Sequence, residues 1–105
     1  MANNQVKGSL ELLLMGVLRD GPAHGYAIIA ALRERSGGEF ELAEGTIYPA
    51  LHRLEESGAI TSSLEVVGGR RRRTYALTPP GRRAFVAQRT EWFGFVRSVA
   101  AVVGT

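Results

Sequence analysis

Residues 60–77 read ITSSLEVVGGRRRRTYAL, and how this stretch folds decides how the rest of the chain is read. Ile60, Ser62, Leu64 and Val66 before Gly68-Gly69, and Tyr75 and Leu77 after it, mark the alternation of half-buried strands. Two such segments around paired glycines predict a β-hairpin. Arg70, Arg71, Arg72 and Arg73 follow the turn, so the densest positive charge of the chain falls at the tip of that hairpin. A two-stranded ribbon with a cationic tip suits a DNA groove, where each arginine can neutralise a phosphate and release a counterion. A merely solvated charge run has the same composition, so the neighbouring elements must decide.

Upstream, Ser9 is placed to N-cap a helix running to about Arg19. Leu10, Leu13, Leu14, Val17 and Leu18 form one apolar stripe on it, and Leu12 and Met15 form a second on another face. Asp20-Gly21-Pro22 ends this helix. A second helix, about His24 to Arg35, buries Ile28, Ile29 and Leu32 and stops at Ser36-Gly37-Gly38. A third, about Glu44 to Ser57, carries the inward stripe Ile47, Ala50, Leu51 and Leu54. Its Pro49 is compatible only with a place near the helix start. Thr78-Pro79-Pro80 opens a fourth helix that runs almost to the C-terminus. The expected fold class is mainly α (α+β): a winged helix-turn-helix with a two-stranded β wing over residues 1–78, then a long C-terminal dimerisation helix over 79–105.

Composition narrows the partners. The 105 residues suffice for one domain with a modest core, and 45% of them are hydrophobic. The net charge is only +3, yet 8 of the 13 Lys and Arg residues fall between Arg70 and Arg97, so basicity is local. Local basicity favours a defined anionic partner over general stickiness. With no cysteine and two histidines, disulfides and thiolate metal sites are excluded, and neither metal nor cofactor is expected. Met1 to Lys7 is polar, so no secretory signal is expected. The apolar Trp92–Val103 stretch falls short of the ~20 residues that span a bilayer. The expectation is a cytoplasmic protein with no membrane partner.

On the third helix, the face opposite the core stripe presents Thr46, Tyr48, Pro49, His52, Arg53 and Glu56. Hydroxyls and free N–H groups near a helix N-terminus suit phosphates. Arginine one turn deeper can grip guanine bidentately. The alternative is a solvated face on which Arg53 and Glu56 pair with each other. Joined to the arginine wing, the DNA reading is the better one.

Gly21-Pro22-Ala23-His24-Gly25-Tyr26, then Glu44-Gly45-Thr46-Ile47-Tyr48-Pro49-Ala50-Leu51-His52-Arg53-Leu54-Glu55, then the wing Gly68 to Thr78, resemble a PadR-type transcriptional regulator with a short C-terminal region. The resemblance covers about residues 8–97. It implies a homodimeric winged-helix repressor that binds an inverted-repeat operator on double-stranded DNA. It further implies that Thr46, Tyr48, Pro49, His52 and Arg53 read DNA, that Gly69, Arg70, Arg71, Arg72 and Arg73 reach the minor groove or backbone, and that Tyr26 lies close to phosphates. His24 is read as structural, a capping or packing residue.

The fourth helix supplies a partner surface. Phe85, Trp92, Val96, Val99 and Val103 step by 7, 4, 3 and 4, a coiled-coil-like seam, and Phe93 adds to its apolar flank. A lone chain would leave this helix exposed, so a homodimer interface of Leu12, Met15, Phe85, Trp92, Phe93, Val96, Val99 and Val103 is expected. In drug-responsive relatives, a tryptophan at the place of Trp92 stacks on planar aromatic ligands between subunits. Here Val96 stands where those relatives carry an acidic residue. This disfavours cationic drugs and leaves an apolar or phenolic effector, or none, open. Leu12, Gly16, Trp92 and Val96 would line such a pore. The rival reading is a winged-helix module that binds protein or RNA without sequence-specific DNA recognition. No spacing suggests a nucleophile elbow, a metal-binding histidine pair or a phosphate-cradling loop, so no enzyme is expected.

Overall fold

In the computed structural model, which describes residues 4–104, Leu14, Met15, Leu18, Ile28, Ile47, Leu51 and Ile60 are the fully buried large side chains. They come from α1 (Asn4–Leu18), α2 (Gly25–Arg35), α3 (Glu44–Glu56) and β2 (Ile60–Val67), so three helices and the root of the hairpin close one core. The remaining elements are β1 (Ala23–His24), β3 (Arg70–Leu77) and α4 (Pro79–Val103). The expectations placed on Met1–Asn3 and Thr105 lie outside the described residues.

The first helix starts earlier than its sequence suggests. Ser9 is not its N-cap but lies inside it, five residues after Asn4. A glycine such as Gly8 costs a helix only about 1 kcal/mol, which propagation from a long, packed helix absorbs. Met15 is 0% exposed and belongs to the core of this chain rather than to a partner-facing stripe with Leu12. The second helix is capped by a histidine: the Ala27 N–H donates to His24 Nδ1 at 3.3 Å. His24 is thus structural, as read from its position.

The expected two-stranded ribbon is part of a three-stranded antiparallel sheet, ordered β1-β3-β2. Ala23 pairs with Tyr75 and His24 with Thr74, so the turn before α2 is stitched to the root of the wing. Two residues are too short a strand to leave any alternation in the sequence. Gly68 and Gly69 form the β2–β3 turn with φ of 57° and 78°. Positive φ at both central residues is what a type I′ hairpin turn requires.

The junction with α4 is built on Thr78. Its hydroxyl donates to the Gly58 carbonyl at 2.6 Å and accepts the Gly81 N–H at 3.0 Å. Its backbone N–H donates to the Ala59 carbonyl at 3.0 Å. One side chain therefore caps α4 and ties it to the end of α3. Gly81 lies directly on the Ala59 backbone, where a Cβ would come within 2.8 Å of the Ala59 carbonyl carbon. From this anchor α4 runs 25 residues, about 37 Å at 1.5 Å per residue, and stretches the chain to 54 × 30 × 20 Å. Gly81→Ala should force the helix off this seat and destabilise the fold by about 1–3 kcal/mol, read as a lower urea midpoint at fixed protein concentration. An unchanged midpoint would mean that the junction has room to spare.

Candidate nucleic-acid interface

The core stripe of α3 is Ile47, Ala50, Leu51 and Leu54, all buried, as its spacing predicts. That burial leaves Thr46, Tyr48, Pro49, His52, Arg53 and Glu56 on the exposed side. Pro49 is the sixth residue of the helix rather than one of the first few. Its ring removes a donor there, so the Gly45 carbonyl lacks its helical partner. Ala43, the N-cap, contributes no side-chain hydrogen bond to the helix start.

The charges on this face pair differently from the simplest i,i+3 expectation. His52 Nε2 lies 2.8 Å from Glu56 Oε1, and Arg53 Nε lies 3.8 Å from Glu11 Oε2 on α1. All four side chains are largely exposed, so these pairs are weak and exchangeable. Glu11 escaped the sequence reading because nothing in a linear pattern brings α1 beside the middle of α3.

Tyr48 has two tasks. Part of its ring is exposed, and part lies on Gly25, where a Cβ would stand 2.7 Å from Tyr48 Cζ. Only a glycine at the start of α2 lets the ring approach so closely. Tyr26, the next residue, is exposed on the surface beside it. Tyr75, on β3, is buried, and burial pushes its hydroxyl above the ordinary 10.0; Tyr48 adds to the rise and the Arg73 guanidinium opposes it. The phenol is therefore neutral at physiological pH.

The arginines do not cluster at the hairpin tip but occupy β3, opposite Val67, Val66, Glu65 and Leu64 in turn. A strand alternates its side chains between faces, so Arg71 and Arg73 share the face of Tyr75, while Arg70 and Arg72 take the other. The outer half of the ribbon is not half-buried as the alternation suggests: Leu64 is 53% and Val66 is 70% exposed. The ribbon outruns the helices that would cover these residues. Near its root, Arg73 Nη1 donates to Ser62 Oγ at 3.0 Å, and Ser62 Oγ donates to Glu55 Oε2 at 2.6 Å. Glu55 and Ser62 were missed. The available signal was a polar residue, Ser62, at an inward strand position.

Along α4, Trp92, Phe93, Phe95, Val96, Val99, Val102 and Val103 are exposed, and Trp92 meets Phe93 edge to face at 5.1 Å. Phe85, only 7% exposed, and Met15 are already spent within the chain and leave little for a partner to cover. Phe85 packs near Gly16 and under the Arg19 guanidinium. Between α1 and α4 lies an open groove of about 980 Å³ lined by Leu12, Gly16, Trp92 and Val96 among others. Among the described residues, no group of three or more His, Cys, Asp or Glu is placed to hold a metal, and no helix is long and apolar enough to cross a membrane.

Three packed helices, a basic β ribbon and an apolar tail helix define a winged-helix protein. The chain belongs to the PadR-like family of transcriptional regulators, whose profile matches residues 14–87. It is 36% identical over 83 residues to the transcriptional regulator Rv3488 of Mycobacterium tuberculosis, covering 79% of this chain and 75% of that one. It is 31% identical over 75 residues to the negative transcriptional regulator PadR of Bacillus subtilis, covering 70% of this chain and 41% of that one. A crystal structure of Bacillus subtilis PadR with operator DNA superposes at a TM-score of 0.69 with 29% identity, covering 75% of this chain and 45% of that one. A transcriptional regulator from Clostridium thermocellum superposes at 0.89 with 25% identity over 97% of this chain and all of that one. These proteins are regulators, not enzymes.

Two outcomes follow from the packing around Tyr48 and Tyr75. Gly25→Ala should destabilise the fold by about 1–3 kcal/mol. Tyr48→Ala should relieve part of that loss, so the double variant falls short of the sum of the singles. Strict additivity would deny the contact. Separately, because the folded-state pKa of Tyr75 is raised, its contribution is whole below pH 10.0 and is lost as the pH climbs through the raised value. Tyr75→Phe should therefore show a shallower loss of stability than the parent as the pH rises above 10.0.

Proposed function

We propose that this protein is a sequence-specific DNA-binding repressor that acts as a homodimer and is released by a planar aromatic or phenolic effector. One observation carries the reading. The face of α3 that the core leaves free bears Thr46, Tyr48, Pro49, His52 and Arg53, and the arginine-bearing ribbon is hydrogen-bonded to that same helix. Helix and ribbon thus form one surface on which a duplex can engage base edges and phosphates together. Tyr26, Gly69 and Arg70 to Arg72 are assigned to backbone contacts, and His52 and Arg53 to base edges. Residues 1–78 form the DNA-binding unit and 79–105 the dimerising helix.

The homodimer is supported by the exposed apolar residues of α4, Trp92 to Val103, together with half-buried Leu12 of α1. A two-fold dimer matches an inverted-repeat operator. Repression is supported by the negative regulation ascribed to the Bacillus subtilis relative. The effector reading is supported by the apolar groove beside Trp92, with Leu12, Gly16 and Val96 on its wall. A cytoplasmic location accords with this function.

The test is fluorescence anisotropy of the protein on DNA from immediately upstream of its own gene, against an unrelated duplex, across a salt series. The expected result is a preference of roughly 10³-fold or more, saturating at two chains per site. Arg53→Ala should cost about 1–3 kcal/mol at particular base positions only. Equal and steeply salt-sensitive binding to both duplexes would overturn sequence specificity. Saturable quenching of Trp92 fluorescence by a planar phenolic compound is expected; indifference across a broad aromatic library would remove the effector.

A further inference from the structure

The four wing arginines are chemically identical but not equally free. Among the described residues, Arg70, Arg71 and Arg72 make no side-chain hydrogen bond or ion pair. Arg73 does, and what it binds is a relay. Ser62 Oγ gives its one proton to Glu55 Oε2 at 2.6 Å, and its lone pair accepts Arg73 Nη1 at 3.0 Å. The relay runs from a guanidinium to a carboxylate, the donor and acceptor types of charge-assisted hydrogen bonds.

Its place in the fold gives the relay its meaning. From Ser63 to Arg73 every residue is exposed, and the ribbon is held in the core only at its root, by Ile60, Tyr75 and Leu77. An isolated two-stranded ribbon is marginally stable and free to flex. The relay joins all three elements at the point where the ribbon leaves the core: Glu55 from α3, Ser62 from β2 and Arg73 from β3.

We propose that Arg73 is not a phosphate contact but a tether. With Glu55 and Ser62 as positioning residues, it fixes the angle of the wing to the reading helix and so sets how well base and phosphate contacts are made at once. This rests on the DNA-binding reading. Operator preference then depends on all three residues, whereas the count of neutralised phosphates depends only on Arg70, Arg71 and Arg72.

The test uses the full chain and the same salt series on upstream and unrelated duplexes. Alanine at Arg70, Arg71 or Arg72 should weaken both duplexes alike and flatten the salt slope by about 0.9 per phosphate lost. Arg73→Ala, Ser62→Ala and Glu55→Ala should leave the slope unchanged and reduce the preference for the upstream duplex by roughly 3- to 30-fold. Pairs of these changes should be no worse than the singles. Ser62→Thr, which keeps the hydroxyl, should restore the preference and guards against a simple folding defect. A slope flattened by Arg73→Ala as by its neighbours would overturn the tether, as would an unaltered preference in Ser62→Ala. Wild-type protein that binds no duplex would instead overturn the DNA-binding reading, and the tether with it.

Discussion

The burial of Ile47, Ala50, Leu51 and Leu54 fixes the rotation of α3 about its own axis, and every other feature of the surface depends on that angle. Burying a large aliphatic side chain is worth about 1.5–3 kcal/mol, so three of them hold the helix far more firmly than any exposed ion pair can. Turning α3 by one residue, about 100°, would drive Tyr48 or His52 into the core. The exposed face is therefore defined by exclusion, and its residues are released from any duty to the fold. Tyr48 is the exception, because its ring also seats on Gly25 and couples α3 to the start of α2.

A second constraint passes from this core to the tail. Thr78 caps α4 while its hydroxyl and N–H bind the backbone of Gly58 and Ala59, which follow α3 directly. Gly81 then brings α4 against Ala59 with no side chain between them. The helices α3 and α4 are thus joined through a few backbone groups rather than through a flexible linker. On the proposed reading, any change in how two α4 helices pack reaches α3 through this junction. A groove ligand beside Trp92 would act on the spacing of two reading helices by the same route.

The sequence disclosed the helices more faithfully than the ribbon. The α3 stripe, the cap at Thr78 and the glycine turn all rest on local rules, spacing or backbone conformation, and these survive into the structure. What escaped was set by contacts distant along the chain. Strand β1 is only Ala23–His24 and exists because Tyr75 and Thr74 lie beside it. Met15 and Phe85 read as interface residues from spacing, but both are buried within one chain, Phe85 where α4 packs on α1. Leu64 and Val66 alternate like buried strand residues yet extend past the core. Periodicity tells which residues share a face and is silent on whether anything covers it.

The same distinction governs the charges. A net charge of +3 conceals an exposed α3 face on which basic residues are already partnered, His52 with Glu56 and Arg53 with Glu11, beside a ribbon whose Arg70 to Arg72 have no partner among the described residues. Exposed pairs of this kind are worth at most about 1 kcal/mol, so breaking them is a minor cost. The larger consequence comes afterwards. On the proposed reading, His52 and Arg53 turn to a duplex and leave Glu11 and Glu56 as unpaired carboxylates facing an anionic partner. A cognate base that Arg53 grips with two hydrogen bonds can offset that repulsion, and a non-cognate base cannot. On the proposed reading, then, the unpaired arginines of the ribbon supply affinity for any duplex, while the acidic partners on α1 and α3 lower affinity for the wrong one. That opposition adds to the discrimination Arg53 makes at base edges, because it penalises every duplex on which the grip of Arg53 is incomplete.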